Sequence, residues 1–375
     1  MLTIIVKGTG GCNLACSYCS LGKKTEFKYA DEEKMIEIFR YACNVCEARQ
    51  EKKITFILHG GEPTLISTAI YKKAIDAVKE EYPNIEITIS MQTNGFVMSD
   101  EMIQFIKEYD IHIGISIDGS EKIHDSERTT IVGAATYRTV IYNIEKLLEE
   151  NIRVSCLMVL TSNALSEGYE YIRFFEDKGL HLKINPLLNY GEAYEHPELS
   201  LNSGDYSHYL IGLYEYIIAN DVHVQIAPID SILQAIISSE RISECSFNSE
   251  CNQHFLCIDF YGDIYPCGKY SDMNDYKLGN IKEKRYDIFE SSILKRLGER
   301  RTIGKPEKCN KCKYVKLCNA GCSAEASIDG DITKAPMLCK DYEILFNYFY
   351  TDGLKLLKGE LIRQKKMLGA MVHGV

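Results

Sequence analysis

Short runs of β-branched and aliphatic residues alternate along the first two thirds of the chain with longer stretches in which apolar residues recur every three to four positions. The runs 2–8 (LTIIVKG), 54–60 (ITFILHG), 85–92 (IEITISMQ), 111–119 (IHIGISIDG), 153–160 (RVSCLMVL) and 181–187 (HLKINPL) predict strands. Between them, 31–50, 66–82, 99–108, 134–150 and 164–179 predict amphipathic helices, with two more over 205–220 and 229–240. Strands that alternate with helices of this length build a parallel sheet covered by helices. Six such units predict an α/β fold, a partial (β/α)6 TIM-like barrel, with its chemistry at the carboxyl ends of the strands.

The pattern then changes. Residues 1–228 are expected to form the barrel and 229–244 a helical linker. Over 245–345 the segments shorten, turns multiply and cysteines crowd together, which predicts a second domain that uses metal in place of a large core. Residues 346–375 are expected to be helical; the run DYEILFNYFYTDGLKLLKGELIRQKKMLG (341–369) that covers most of them has a break at Gly353.

Charge and composition narrow the partners. The chain has 375 residues, a formal net charge of -10 and no block of Lys or Arg, which argues against a nucleic-acid or membrane-surface partner. No apolar run approaches the ~18 residues of a membrane span, and the start lacks a signal-peptide pattern. A cytoplasmic location is therefore expected, and there the fifteen cysteines read as metal ligands, because cytosolic thiols stay reduced.

Eleven of the fifteen fall into spaced sets. Cys12, Cys16 and Cys19 form C-x3-C-x2-C directly after the first strand. Three soft thiolates in eight residues suit zinc completed by a distant ligand, or an iron-sulfur cluster with one iron left open. Farther on stand Cys245, Cys251, Cys267 in YGDIYPC, then Cys309, Cys312, Cys318 and Cys322 as C-x2-C-x5-C-x3-C, and Cys339: eight thiolates, enough for two complete sites. Cys156 and Cys257 lie in apolar runs, and Cys43 and Cys46 stand three apart on a predicted helix (YACNVCEAR), where a C-x-x-C redox role is the alternative; all four are expected to pack as small hydrophobes. HGGEP (59–63) closes the second strand; a Gly-Pro turn would account for it, but two adjacent glycines also let backbone approach a ligand closely.

The triplet together with HGGEP, QTNG (92–95), SIDG (116–119) and IHDSER (123–128) resembles the radical S-adenosyl-L-methionine (SAM) superfamily. The resemblance implies a 4Fe-4S cluster on Cys12, Cys16 and Cys19 whose fourth iron takes SAM. It also implies SAM contacts from Gly60, Gly61, Glu62, Ser90 and Ser116, with Arg128 toward the SAM carboxylate and Tyr18 near the adenine. The octet resembles the SPASM extension of radical SAM peptide-modifying enzymes. That resemblance implies one auxiliary 4Fe-4S cluster on Cys245, Cys251, Cys267 and Cys322 and another on Cys309, Cys312, Cys318 and Cys339, three clusters in all.

An enzyme of this kind cleaves SAM to a 5'-deoxyadenosyl radical that abstracts a hydrogen atom from a peptide or protein substrate, with an electron donor such as flavodoxin or ferredoxin. In motif order and length the chain is similar to the anaerobic sulfatase-maturating enzymes, which make formylglycine. Those enzymes carry an Asp directly after the YPC cysteine, where this chain has Gly268; Asp259, Asp263 and Asp272 are the acids nearby in sequence. The catalytic base is thus unidentified. A maturase that cross-links ribosomally made peptides through thioether or carbon-carbon bonds is the expected activity, and formylglycine formation the alternative. With the triplet beginning at residue 12, a leader peptide would be expected to bind a separate protein or another surface. A zinc-stabilised binding protein is the non-enzymatic alternative; it leaves HGGEP and the open triplet without a role.

Overall fold

The computed structural model describes residues 1–360 except 23–26, 249, 272 and 329. Six parallel strands follow the predicted runs: β1 (Leu2–Lys7), β2 (Lys53–His59), β3 (Glu86–Thr93), β4 (His112–Ser116), β5 (Val154–Leu160) and β6 (His181–Pro186). The crossovers are α1 (Glu32–Ala48), α2 (Thr68–Glu81), α3 (Asp100–Glu108), α4 (Glu121–Glu127) with α5 (Tyr137–Glu149), and α6 (Ile172–Asp177). Side-chain caps fix several helix starts. Asp31 accepts from the Lys34 backbone N–H at 2.9 Å and Ser99 from that of Met102 at 3.2 Å, satisfying donors that the first turn leaves free.

Strand alternation sorts the side chains. Leu2, Ile4 and Val6 of β1 are buried toward the helices, where Phe39 of α1 stacks on Phe56 of β2 with ring centroids 4.1 Å apart. Each such side chain contributes roughly 1.5–3 kcal/mol of burial. Ile5 and Lys7 point the other way, into the barrel.

The helix predicted over 164–179 is shorter: a 3-10 turn at Ser162–Ser166 and α6 flank Gly168, whose flexibility interrupts the run. Helices α7 (Asp205–Ala219) and α8 (Ile229–Ser238) flank the two-residue strand β7 (Ile226–Ala227). The helix Cys339–Tyr348 runs on through a π-helical turn at Phe349–Gly353 into helical residues 354–360, so the chain widens at Gly353 where a break is expected; the expectation of helix beyond residue 360 lies outside the described residues.

The sheet does not end at the expected domain border. Strands β8 (Phe255–Asp259), β9 (Asp263–Tyr265) and β10 (Gly279–Asn280) extend it, giving the order β10-β9-β8-β1-β2-β3-β4-β5-β6-β7. β8 pairs parallel with β1, Thr3 opposite Phe255, and one buried apolar cluster runs through both halves of the chain. No described helix is long and apolar enough to cross a membrane.

Candidate active site

The loop after β1 is held by backbone on both sides. Gly10 N–H donates to the Lys28 carbonyl at 3.1 Å, Ala15 N–H to that of Thr129 at 2.8 Å and Ser17 N–H to that of Glu127 at 3.0 Å. This frame presents Cys12, Cys16 and Cys19 to a cavity of about 520 Å³ at the carboxyl ends of the strands. The Cys12 Sγ accepts weakly from the Leu14 N–H (3.4 Å) and from Asn94 Nδ2 (3.6 Å). Burial pushes the Cys16 thiol up to about 11 in spite of the nearby Arg128 charge, so a thiolate there awaits a cation to replace its proton.

The HGGEP segment is pressed against that loop. Gly61 N–H donates to the Thr9 carbonyl and Glu62 N–H to the Gly11 carbonyl, each at 2.8 Å. Gly60 sits at φ +118°, and a Cβ on Gly61 would lie 1.9 Å from the Gly11 oxygen, so only glycine fits at both. The Glu62 carboxylate is buried and already engaged by Thr93 Oγ1 (2.6 Å), the Asn94 N–H (2.7 Å) and both Thr64 donors. It ties the loops after β2 and β3 together.

Tyr18 and Arg128 line the same cavity. The Tyr18 hydroxyl donates to Asp118 and accepts from Arg128 Nη1 at 2.5 Å, while Asp118 is anchored by the Val159 N–H at 2.9 Å. Arg128 Nε is buried and has no partner. Ser116 reaches the wall, where Gln92 Nε2 donates to it at 3.1 Å. Ser90 does not: it lies midway along β3, and Gln92, two residues nearer the carboxyl end on the same face, lines the cavity in its place.

The opposite wall holds Cys245, Cys251, Cys267 and Cys322. They feel one another's charge: burial first, then Cys322 and Cys245, pushes Cys251 up to about 11, and burial, Cys322 and Cys251 raise Cys267. Cys245 is exposed, the other three half-buried or buried. Cys309, Cys312, Cys318 and Cys339 form a separate group outside this wall. Burial, Cys339, Cys309 and Cys312 push Cys318 up to about 12. Among the described residues no three His, Cys, Asp or Glu side chains close on one ion-sized point; the thiols stand around a space. Soft donors in sets of three, four and four suit anionic iron-sulfur clusters, and among the described residues Arg128 beside the triplet and Arg301 beside the first quartet keep buried N–H groups without acceptors. Cys43, Cys46, Cys156 and Cys257 are buried in the core.

Neither Asp259 nor Asp263 lines the cavity. Burial pushes Asp259 up to about 6 while it accepts from the Tyr261 and Asp263 N–H groups, and Asp263 pairs with Lys277 at 2.7 Å. Asp272 lies outside the described residues. The acid that sequence reasoning missed is Glu325. It is 2% exposed, lines the cavity and pairs with Lys269 Nζ at 3.0 Å, directly after Gly268. Tyr342 donates to its Oε2 at 3.3 Å.

The sequence signature of the radical SAM superfamily matches residues 6–174, and that of the SPASM iron-sulfur cluster-binding domain matches 245–313. A cysteine-type anaerobic sulfatase-maturating enzyme of Clostridium novyi is 29% identical over 335 residues, covering 86% of this chain and 87% of the relative. A serine-type one of Bacteroides thetaiotaomicron is 24% identical over 390 residues, covering 97% and 93%. In fold, the chain superposes with a TM-score of 0.81 on native anSMEcpe with bound AdoMet (23% identity, 96% and 99% covered). Against SuiB of Streptococcus suis bound to precursor peptide SuiA the TM-score is 0.66 (15% identity, 90% and 75% covered). The two signatures set aside a zinc-stabilised binding protein. The chain carries a radical SAM domain at residues 6–174 and a SPASM iron-sulfur cluster-binding domain at residues 245–313, which mark it as an enzyme that works with S-adenosyl-L-methionine and iron-sulfur clusters.

Proposed function

We propose that this enzyme takes a peptide or protein segment into the cavity between the cysteine triplet and the first quartet, removes a hydrogen atom from one of its carbons and installs a thioether or carbon-carbon cross-link in a ribosomally made peptide. SAM and its cluster, when bound, supply the 5'-deoxyadenosyl radical that takes the hydrogen. In this reading Cys12, Cys16 and Cys19 hold that cluster, and the two quartets hold two more, three 4Fe-4S clusters in all. Gly60, Gly61, Ser116, Tyr18 and Arg128 surround SAM, while Glu62 acts by fixing the loops. The unpartnered Arg128 Nε is suited to a carboxylate. A reductant such as flavodoxin or ferredoxin supplies the electron, and a leader peptide is held by a separate protein or another surface.

The observation that carries the cross-linking choice is Cys245. It is the exposed member of a quartet that faces the cavity, so it is the ligand most readily displaced by a peptide thiol. A thiol bound to metal loses its proton outright and needs no base, which accords with Gly268. Formylglycine formation is favoured by a different observation: the relatives are named as sulfatase-maturating enzymes, and Glu325 offers a carboxylate in the cavity.

Mass spectrometry after turnover separates the two. A loss of two hydrogens with blocked thiols is expected; an aldehyde on a sulfatase-motif peptide would overturn the choice. Glu325→Gln sharpens it. If Glu325 were the obligatory base, product would fall by about 10²–10⁴-fold while 5'-deoxyadenosine still formed. On the cross-linking reading the loss stays under about tenfold, since coordination to metal replaces the thiol proton, which passes to solvent, and a dedicated base contributes little. Iron and sulfide after anaerobic reconstitution should count four of each per cluster for three clusters.

A further inference from the structure

Arg300 and Arg301 are adjacent, both buried, and differently satisfied. The Arg300 guanidinium is saturated by backbone: Nε donates to the Ile332 carbonyl at 2.7 Å, Nη1 to that of Ala320 at 2.8 Å and Nη2 to that of Lys334 at 2.9 Å. Those bonds fasten the segment between Cys318 and Cys322 to the one that leads into Cys339.

Arg301 is 2% exposed, and its Nη1 donates to the carbonyl of Asn248, in the loop between Cys245 and Cys251. Among the described residues its Nε and Nη2 have no acceptor and it forms no ion pair. A guanidinium does not shed its proton to relieve this, so the unmet buried donors destabilise the site until an acceptor reaches them. Its charge reaches both Cys251 and Cys322, on opposite sides of the first quartet in sequence. A buried cation with two idle N–H groups, held by the loop that carries two cysteines, is complementary to an anion with acceptor atoms placed among those cysteines.

We propose that Arg301, beside Lys269 whose Nζ lies 4.0 Å from the Cys322 sulfur, is a cationic partner of the iron-sulfur cluster on Cys245, Cys251, Cys267 and Cys322, donating its N–H groups to the sulfur atoms there and raising that cluster's reduction potential. Charge and hydrogen bonds to sulfur are the terms by which protein raises such a potential. The proposal rests on the reading that this quartet holds a 4Fe-4S cluster.

The test is an EPR-monitored redox titration of the anaerobically reconstituted full chain. It is run on a Cys12→Ala/Cys16→Ala/Cys19→Ala background, so that only auxiliary signals remain; the signal of the first quartet is the one that Cys267→Ala removes. In Arg301→Gln that signal should move to a more negative midpoint, or one cluster's worth of iron should be lost. In Arg301→Lys, which keeps the charge, most of the midpoint and the iron should return. Arg300→Gln, which loses a charge already spent on backbone carbonyls, should lower thermal stability and shift the midpoint less than Arg301→Gln does. An unchanged midpoint in Arg301→Gln at full iron content overturns the proposal, as does a lysine variant that fails to fold or to load just as the glutamine variant does. If Cys267→Ala removes no signal, the reading of the quartet falls instead.

Discussion

Replacing Cys12, Cys16 and Cys19 together by alanine is expected to reduce 5'-deoxyadenosine formation to the background of the reductant alone, with the fold retained. The loop that carries them is held by backbone bonds to Lys28, Thr129 and Glu127, none of which involves a thiol. Among the described residues the bonds lost are weak ones at the Cys12 sulfur, at 3.4, 3.6 and 3.8 Å. Circular dichroism and thermal unfolding should therefore follow the parent closely, while chromatography of the SAM products shows none. Formation of 5'-deoxyadenosine by this variant would remove the triplet from the reaction.

Gly61→Ala is expected to be nearly as severe for a wholly different reason. The new methyl would meet the Gly11 oxygen at 1.9 Å and the Gly11 carbonyl carbon at 2.5 Å. Both are backbone, so no rotamer change relieves the clash. The loops after β1 and β2 must part, breaking the 2.8 Å bonds from Gly61 to Thr9 and from Glu62 to Gly11. The cost should exceed the roughly 1–3 kcal/mol typical of overpacking, and it falls on the frame of the cluster loop. We expect a lower unfolding midpoint together with loss of SAM binding by calorimetry. Gly268→Ala is the control, because its added methyl meets only Ile5 side-chain atoms at 3.4 Å and beyond. If the two variants unfolded alike, the argument from close approach would be wrong.

The strands and most helices were legible because their signals are local: short runs of β-branched residues, and apolar residues recurring every three to four positions. The grouping of the eight later cysteines came from the resemblance to the SPASM extension and not from their order, in which Cys322 falls among the members of the other set; the cavity wall brings Cys245, Cys251, Cys267 and Cys322 together. The pairing of β8 with β1 was not legible, since nothing in FLCID announces a partner near residue 3. Glu325 was invisible for a related reason. It sits in a short helix, Ser323–Ile328, with no motif around it, and only the packing of that helix against the cavity buries its carboxylate. Ser90 was misplaced by one pleat repeat, because the sequence gives the face of a strand but not how far along it the rim lies.

The parallel pairing of Thr3 with Phe255 bears on how the polypeptide comes together on the ribosome. The first strand to leave the exit tunnel finds β2 early but must wait for more than half of the chain before β8 closes its other side. Until then LTIIVK is an apolar edge with unmet N–H and C=O groups, open to pairing with a neighbouring nascent chain. A chain cut after residue 244 would keep that edge for good and is expected to aggregate, so the cysteine-rich half protects the barrel it follows.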